Sequence, residues 1–343
     1  MKPPLIGHTA ADLTQLVQTM GEPRFRAEQL HHWLYVRCAR DFDAMTNLAK
    51  PFREKLAEQF SVGPLTIARK QVSKDGTHKY LFQLPDSNVV ESVLMHFEDR
   101  DTYALCISTQ VGCAVNCQFC ATAKLGFTRN LTAAEIVDQY LYAQHDSGKE
   151  IRNIVFMGQG EPLLNVDNLL EAIYLLNRSA EVGIRHITVS TAGIVPGITR
   201  LAEANLQLTL AVSLHAPDDD TRSQIMPINK RWPLSELMPV LFDYGSRTGR
   251  RLTIEYILLA GVNDTPEHAH KLGQLLKSLK CNINLIPYNP IDAAFQRPKR
   301  SDVLAFQHIV SGYGKKVTVR VERGSDIDAA CGQLANKALV AAV

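Results

Sequence analysis

The sequence is short of cysteine, of net charge and of long apolar runs, and each shortage closes off a class of protein. Seven cysteines in 343 residues are too few for a disulfide scaffold. No apolar run approaches the roughly 18 residues that a membrane span needs. The opening Met1-Lys2-Pro3-Pro4 runs into a polar stretch without the apolar core of a secretion signal, so the expected location is the cytoplasm. A balance of 37 basic and 35 acidic residues, net +2, gives no bulk signal for a nucleic-acid partner. With 20 Gly, 16 Pro, 45% apolar and 21% charged residues, the chain is neither collagen-like nor disordered. Its length exceeds the usual single domain, yet a large α/β barrel could take up most of it.

What is present falls into unequal parts. Leu13, Leu16 and Val17 have helical spacing up to Gly21, as do Leu30, Trp33 and Leu34 beyond Arg24, and Leu48, Phe52, Leu56 and Phe60. Residues 65–72 and 78–84 flank Asp75-Gly76, a hairpin turn signal, and Pro85-Asp86-Ser87-Asn88 leads into a strand near 89–96. From about residue 103 the pattern alternates. Strands are expected at 104–109, 153–157, 186–190, 207–214, 252–259, 283–287 and 317–322. Helices are expected at 133–145, 168–178, 235–244, 266–279 and 302–311, the first behind a capping box, Thr132-x-x-Glu135. Such alternation predicts a parallel sheet with right-handed crossovers, either a complete or partial barrel or an open sheet. In each case the site is expected at the C-terminal ends of the strands.

The loop after the first of these strands carries Cys113, Cys117 and Cys120 in a C-x3-C-x2-C array. Three thiolates so close can wrap zinc or an iron–sulfur cluster. Structural zinc normally takes four protein ligands, and no second Cys pair or H-x3–5-H follows. On a four-iron cluster, three ligands leave one iron open to a small molecule. Polar groups also close the later strands: Gly158-Gln159-Gly160-Glu161-Pro162, Ser190-Thr191, Ser213-Leu214-His215, and Asn289. Any one of these could be a turn former or a structural histidine; together they fit the strand-end rule.

The cysteine spacing, with Phe119 before the last Cys, resembles the radical S-adenosylmethionine superfamily. Three further stretches are similar to the RlmN family of RNA methyltransferases: Cys106-Ile107-Ser108-Thr109-Gln110-Val111-Gly112-Cys113, Gly158 to Asn165, and Asp326-Ile327-Asp328-Ala329-Ala330-Cys331-Gly332-Gln333-Leu334. The likeness runs almost end to end, including Phe25-Arg26-Ala27-Glu28-Gln29. It departs at Gln159, where the family often has Met, and between Glu91 and Cys106, which is about two residues longer than usual.

The resemblance implies an α/β fold, a partial (β/α)6-type barrel over 101–343. A helical RNA-binding accessory domain over 1–60 and a β-rich connecting segment over 61–100 would precede it. It implies a [4Fe-4S] cluster on Cys113, Cys117 and Cys120, and S-adenosylmethionine bound by Gly160, Glu161, Ser190, Ser213, Leu214, His215 and Asn289. The implied reaction methylates C2 of an adenine in 23S ribosomal RNA and in certain tRNAs. Cys331 first takes a methyl group, a 5′-deoxyadenosyl radical removes a hydrogen from it, and the methylene adds to the base. Glu91 would remove the C2 proton. Cys106 would then attack the Cys331 sulfur, leaving a transient disulfide. An electron donor such as flavodoxin, and action as a monomer, are also implied. Cys331 is expected at the start of a helix, Ala329 to Leu339, where free amides and Arg323 would favour its thiolate. Cys38 and Cys281 match no motif and are read as structural.

Charge is uneven along the chain. Residues 297–323 hold seven Lys or Arg (297, 299, 300, 315, 316, 320, 323) against Asp302 and Glu322, with Lys124 and Arg129 after the cysteine loop. This patch could neutralise RNA phosphates, or be a solvated face. Trp33, Tyr35, Arg37 and Arg40 could touch RNA or pack a core. Two other readings remain at this stage: Cfr-type methylation of adenine C8, and a non-catalytic RNA-binding module stabilised by a metal.

Overall fold

A computed structural model of the chain describes residues 2–336. Three short helices come first: α1 (Ala10–Thr19), α2 (Phe25–His31, continued by a π-helical turn, His32–Val36) and α3 (Lys50–Gln59). The apolar residues that predicted them, Leu13, Val17, Leu30, Leu34, Phe52 and Leu56, are all buried. Tyr35 is buried too, its hydroxyl donating to the His8 carbonyl (2.7 Å). Arg40 pairs with Asp138 and stacks over Tyr142, 4.1 Å from the ring centroid. Tyr35 and Arg40 therefore pack the interior rather than offering a surface to RNA.

Next come β1 (Thr66–Val72), β2 (His78–Gln83) and β3 (Val89–Phe97), then β4 (Thr102–Cys106). The turn at Asp75-Gly76 forms as its sequence requires, Gly76 having φ +76°. From β4 the chain runs through β5 (Gln110–Gly112), β6 (Phe127–Asn130), α4 (Ala133–Ser147), β7 (Ile151–Phe156), α5 (Val166–Arg178) and β8 (Ile187–Thr191). It continues with α6 (Val195–Glu203), β9 (Thr209–Ser213), α7 (Asp219–Ile225), α8 (Leu234–Thr248) and β10 (Leu252–Leu258). Last are α9 (Pro266–Leu276), β11 (Cys281–Pro287), α10 (Arg300–Ser311) and β12 (Lys316–Val319).

Ten strands share one sheet, in the order β1-β2-β3-β4-β7-β8-β9-β10-β11-β12. Neighbours from β4 to β12 are parallel, and β1 to β4 are antiparallel. Among the described residues no ladder joins β12 back to β4, so the barrel is partial. The hairpin strands extend its sheet. All seven expected parallel strands and all five expected helices are present. The capping box at α4 closes both ways, Glu135 N–H to Thr132 Oγ1 (3.2 Å) and Thr132 N–H to Glu135 Oε2 (2.9 Å).

The sequence pattern missed α6, whose start carries Pro196 and Gly197, and α7, which opens on the acidic run Asp218-Asp219-Asp220. It also missed the β5–β6 pair that clamps the base of the cysteine loop. The helix expected from Ala329 is absent over 329–336, which form turns and extended chain; residues 337–339 lie outside the described residues. Competing bonds account for this. The Gly332 and Leu334 carbonyls accept from Ala121 N–H (2.7 Å) and Thr122 Oγ1 (2.8 Å), so this backbone is bonded across the molecule instead of along itself.

Candidate active site

The polar strand ends converge. Cys113, Cys117 and Cys120 line a cavity of about 150 Å³ with Gly158, Gly160, Glu161, Ser190, Ser213, His215 and Cys331. A larger cavity of about 670 Å³ adjoins it, lined by Cys106, Cys331, Met157, Asn289, Arg297 and Arg320 among others. Cys331 is common to both.

Burial pushes the Cys113 thiol up to about 12 and raises Cys117 well above its ordinary value. Thiolates there persist only when a cation takes up their charge. Among the described residues no three His, Cys, Asp or Glu side chains converge closely enough to hold a single ion. Three soft donors spread along one cavity wall fit a multi-iron cluster.

The glycine turn after β7 is tight against its own chain. Gly160 has φ +100°, and a Cβ there would stand 2.6 Å from the Gln110 Cβ. Glu161 is buried and ties its own turn to the end of β8: Oε1 accepts from Leu163 N–H (2.9 Å) and Oε2 from Ala192 N–H (2.6 Å). Desolvation raises its pKa to about 7 against these bonds. His215 has φ +59°, and its Nδ1 accepts from Ile257 N–H (3.0 Å), which places the ring proton on Nε2. Burial, with the Arg222 charge nearby, lowers its pKa to about 3. Its ring meets Phe119 edge-on at 4.9 Å. Leu214 is a core side chain whose carbonyl accepts from Arg222 (3.0 Å), so it presents no side chain to the cavity.

Cys331 lies in the turn before Gly332, with its carbonyl held by Asn289 Nδ2 (3.1 Å). The residue is exposed, but it lines both cavities, and desolvation still raises its pKa. The guanidinium that opposes this is Arg320, not Arg323, which instead lies over the Phe97 ring at 4.7 Å. Cys106 is pushed up to about 12 by burial and by the neighbouring Cys331, against Arg320. Both thiols are free.

Glu91 lines neither cavity. Its Oε2 accepts from Asn336 N–H (3.1 Å), and Lys79 Nζ lies 3.4 Å from Oε1. The β3–β4 register pairs Val93 with Cys106, so Glu91 sits one pleat away on the same face. Two extra residues in this hairpin leave that alternation intact. Gln159 fills the space beside it, its Oε1 accepting from Glu91 N–H (3.2 Å) and its Nε2 donating to Asn336 (2.9 Å).

The basic stretch divides. Arg297, Arg320 and Arg323 line the larger cavity, whereas Lys315 and Lys316 lie at the opposite end of β12. Arg297 pairs with Glu322, Lys124 with Asp292, and Arg129 with Asp86 and Glu135. Three residues that bear on the site carried no sequence signal: Lys79, Arg222 and Glu255. Each is a charged residue in a strand or acidic helix, where solvent exposure is the ordinary expectation.

This chain matches the family model for the "Ribosomal RNA large subunit methyltransferase N-terminal domain" over residues 4–62 and the radical SAM superfamily model over 107–272. It is 47% identical to the "Probable dual-specificity RNA methyltransferase RlmN" of Symbiobacterium thermophilum, over 98% of this chain and 92% of that protein. The chain belongs to the RlmN family of RNA methyltransferases. A second RlmN relative, from Marinobacter nauticus, is 44% identical over 97% of this chain and 92% of its own length. The crystal structure of a radical SAM methyltransferase from Sphaerobacter thermophilus superposes with a TM-score of 0.93 at 45% identity, covering 97% of this chain and 99% of that one. RlmN membership makes RNA the substrate class and S-adenosylmethionine with an iron–sulfur cluster the implied cofactors. Among the described residues no helix is long and apolar enough to cross a membrane.

Proposed function

We propose that this chain methylates C2 of a specific adenine in 23S ribosomal RNA, and of an adenine in tRNA, through a methylated Cys331 and a transient Cys106–Cys331 disulfide. The observation that carries this reading is the shared wall. Cys331 faces the three-cysteine cavity on one side and the Cys106 cavity on the other. A sulfur so placed can be loaded and activated on one side, and deliver its carbon to a base on the other.

Cys113, Cys117 and Cys120 would hold the cluster, and Gly160, Glu161, Ser190, Ser213, His215, Asn289 and the Leu214 backbone would surround S-adenosylmethionine. When bound, these two groups supply a methyl group and a 5′-deoxyadenosyl radical. The chain's own residues do the rest. Asn289 fixes the Cys331 backbone, Arg320 offsets the charge of the reacting thiols, and Glu91, held by Lys79, takes the C2 proton. Cys106 attacks the Cys331 sulfur as the sulfur–carbon bond breaks, the freed carbon takes up a proton to become the methyl group, and a reductant must then reopen the Cys106–Cys331 disulfide. A soluble one-electron donor such as flavodoxin, action as a monomer, and a cytoplasmic setting complete the reading.

The test is anaerobic incubation with S-adenosylmethionine, a reductant and an RNA fragment, followed by mass mapping. The expected product is 2-methyladenine. A methyl group at C8 would make the enzyme Cfr-type. A colourless zinc protein that leaves RNA unmodified would make it a binding module.

A further inference from the structure

Arg222, on α7, is fully buried. Its guanidinium donates to Leu214 O (3.0 Å), Ala192 O (2.6 Å), Ser213 O (3.3 Å) and Asn229 Oδ1 (2.7 Å). These partners are neutral. Among the described residues no carboxylate forms an ion pair with it, whereas the other cations set into the interior each have one: Arg40 with Asp138, Lys79 with Glu91, Arg320 with Glu255. Asp219, whose charge reaches it, forms its hydrogen bonds with Asn229 and Leu234 N–H instead. A cation removed from water and left without counter-charge is costly. The fold nevertheless holds it in place.

Its position says what balances it. Ala192 and Ser213, whose carbonyls it binds, line the cavity of Cys113, Cys117 and Cys120, as does Met226 at the end of α7. The cysteine loop is bonded to the same helix, Gln118 N–H donating to Ile225 O (2.9 Å).

We propose that Arg222 is the buried counter-charge of the iron–sulfur–thiolate assembly on Cys113, Cys117 and Cys120, and that it sets how readily that assembly accepts an electron. This rests on the cluster assignment made above. Iron and three thiolates leave the oxidised assembly net negative, and one-electron reduction adds a further negative charge. A cation fixed one layer beneath, in a medium of low dielectric, stabilises the reduced form more than the oxidised form. Arg222 thus raises the reduction potential, and it costs nothing to reorganise because carbonyls at the ends of β8 and β9 already hold it.

The test is a redox titration, followed by electron paramagnetic resonance, of the anaerobically reconstituted full chain without substrate. Arg222→Gln should lower the one-electron reduction constant at least tenfold, about 59 mV. Arg222→Lys, which keeps the charge, should stay within about threefold of wild type. The double exchange Asp219→Asn with Asn229→Asp keeps the guanidinium and moves a carboxylate onto it, so it should lower the potential even if Arg222→Gln fails to fold. A merely structural role predicts that both Arg222 variants lower the melting temperature of the metal-free chain while the potential stays put. An unchanged potential in the double exchange overturns the role of Arg222 alone. A wild-type chain that assembles no iron–sulfur chromophore overturns the cluster assignment with it.

Discussion

The Lys79 ammonium lies 3.4 Å from the Glu91 carboxylate, and both side chains are almost wholly removed from solvent. Lys79 also donates to the Asp328 carbonyl (3.3 Å), three residues before Cys331. One buried cation thus ties the proposed base to the segment that carries the proposed methyl acceptor. A pair like this adds little net stability, but losing one member leaves the other uncompensated.

Lys79→Met should therefore destabilise the chain by about 3 kcal/mol, read by chemical denaturation. Glu91→Gln keeps the shape and the acceptor for Asn336 N–H but leaves Lys79 without its counter-charge, so stability should fall by a similar amount, about 3 kcal/mol, and activity is compared at a temperature where the variant is folded. Methylation should fall at least about 100-fold with RNA binding retained. Glu91→Gln with full activity would remove Glu91 as the base.

Cys106→Ala should trap a covalent RNA–protein adduct, because the thiol proposed to release the product is missing. Electrophoresis under denaturing conditions with labelled RNA reads this directly. Modified base forming without an adduct would take Cys106 out of the reaction.

Burial keeps the Cys106 thiol protonated at neutral pH, its pKa being about 12. Alkylation by iodoacetamide should be slow near pH 7 and still rise with pH beyond pH 9. Arg320→Gln removes the charge that opposes burial, so labelling of Cys106 and Cys331 should slow further. Peptide mass spectrometry measures both rates.

His215 is held neutral in the fold, with a pKa near 3 against about 6.5 when unfolded. The unfolded chain therefore binds the extra proton between these values. The stabilisation is complete above about pH 6.5 and is lost as pH falls toward 3, by up to about 5 kcal/mol. His215→Asn keeps an acceptor for Ile257 N–H and tolerates positive φ. It should flatten this part of the stability–pH curve, as followed by denaturant unfolding.

Gly160→Ala should cost more than about 2 kcal/mol, since a side chain meets both a positive φ and the Gln110 backbone at 2.7 Å. The measurement is the denaturation midpoint of the metal-free chain.

Much of this was legible in the sequence. The seven parallel strands announced themselves as apolar runs between amphipathic helices, and strand-end chemistry then placed the cysteine loop, Ser190, Ser213 and His215 around one cavity. What escaped depended on distant partners. Lys79 and Arg222 look like solvent-facing charges until β3 and the ends of β8 and β9 are in place. The helix expected at Cys331 followed local propensity, which lost to bonds made with Ala121, Thr122 and Glu91, more than two hundred residues away. Leu214 shares its strand end with Ser213 and His215, and only the alternation of the backbone sends its side chain to the opposite side.

The C-terminal segment after β12 has one more consequence. It crosses to the β1–β2 turn, where Gly324 N–H meets Asp75 (2.8 Å) and Ser73 meets Asp326 (2.5 Å), and its Asn336 bonds to Glu91 and Val89. The side of the barrel that lacks a ladder is therefore closed by separate hydrogen bonds, each worth about 0.5–1.5 kcal/mol. Such a seam can part a few contacts at a time, without unzipping any strand from its neighbour. In this protein the wall that carries Cys331, the proposed methyl acceptor, is the one held without a strand ladder.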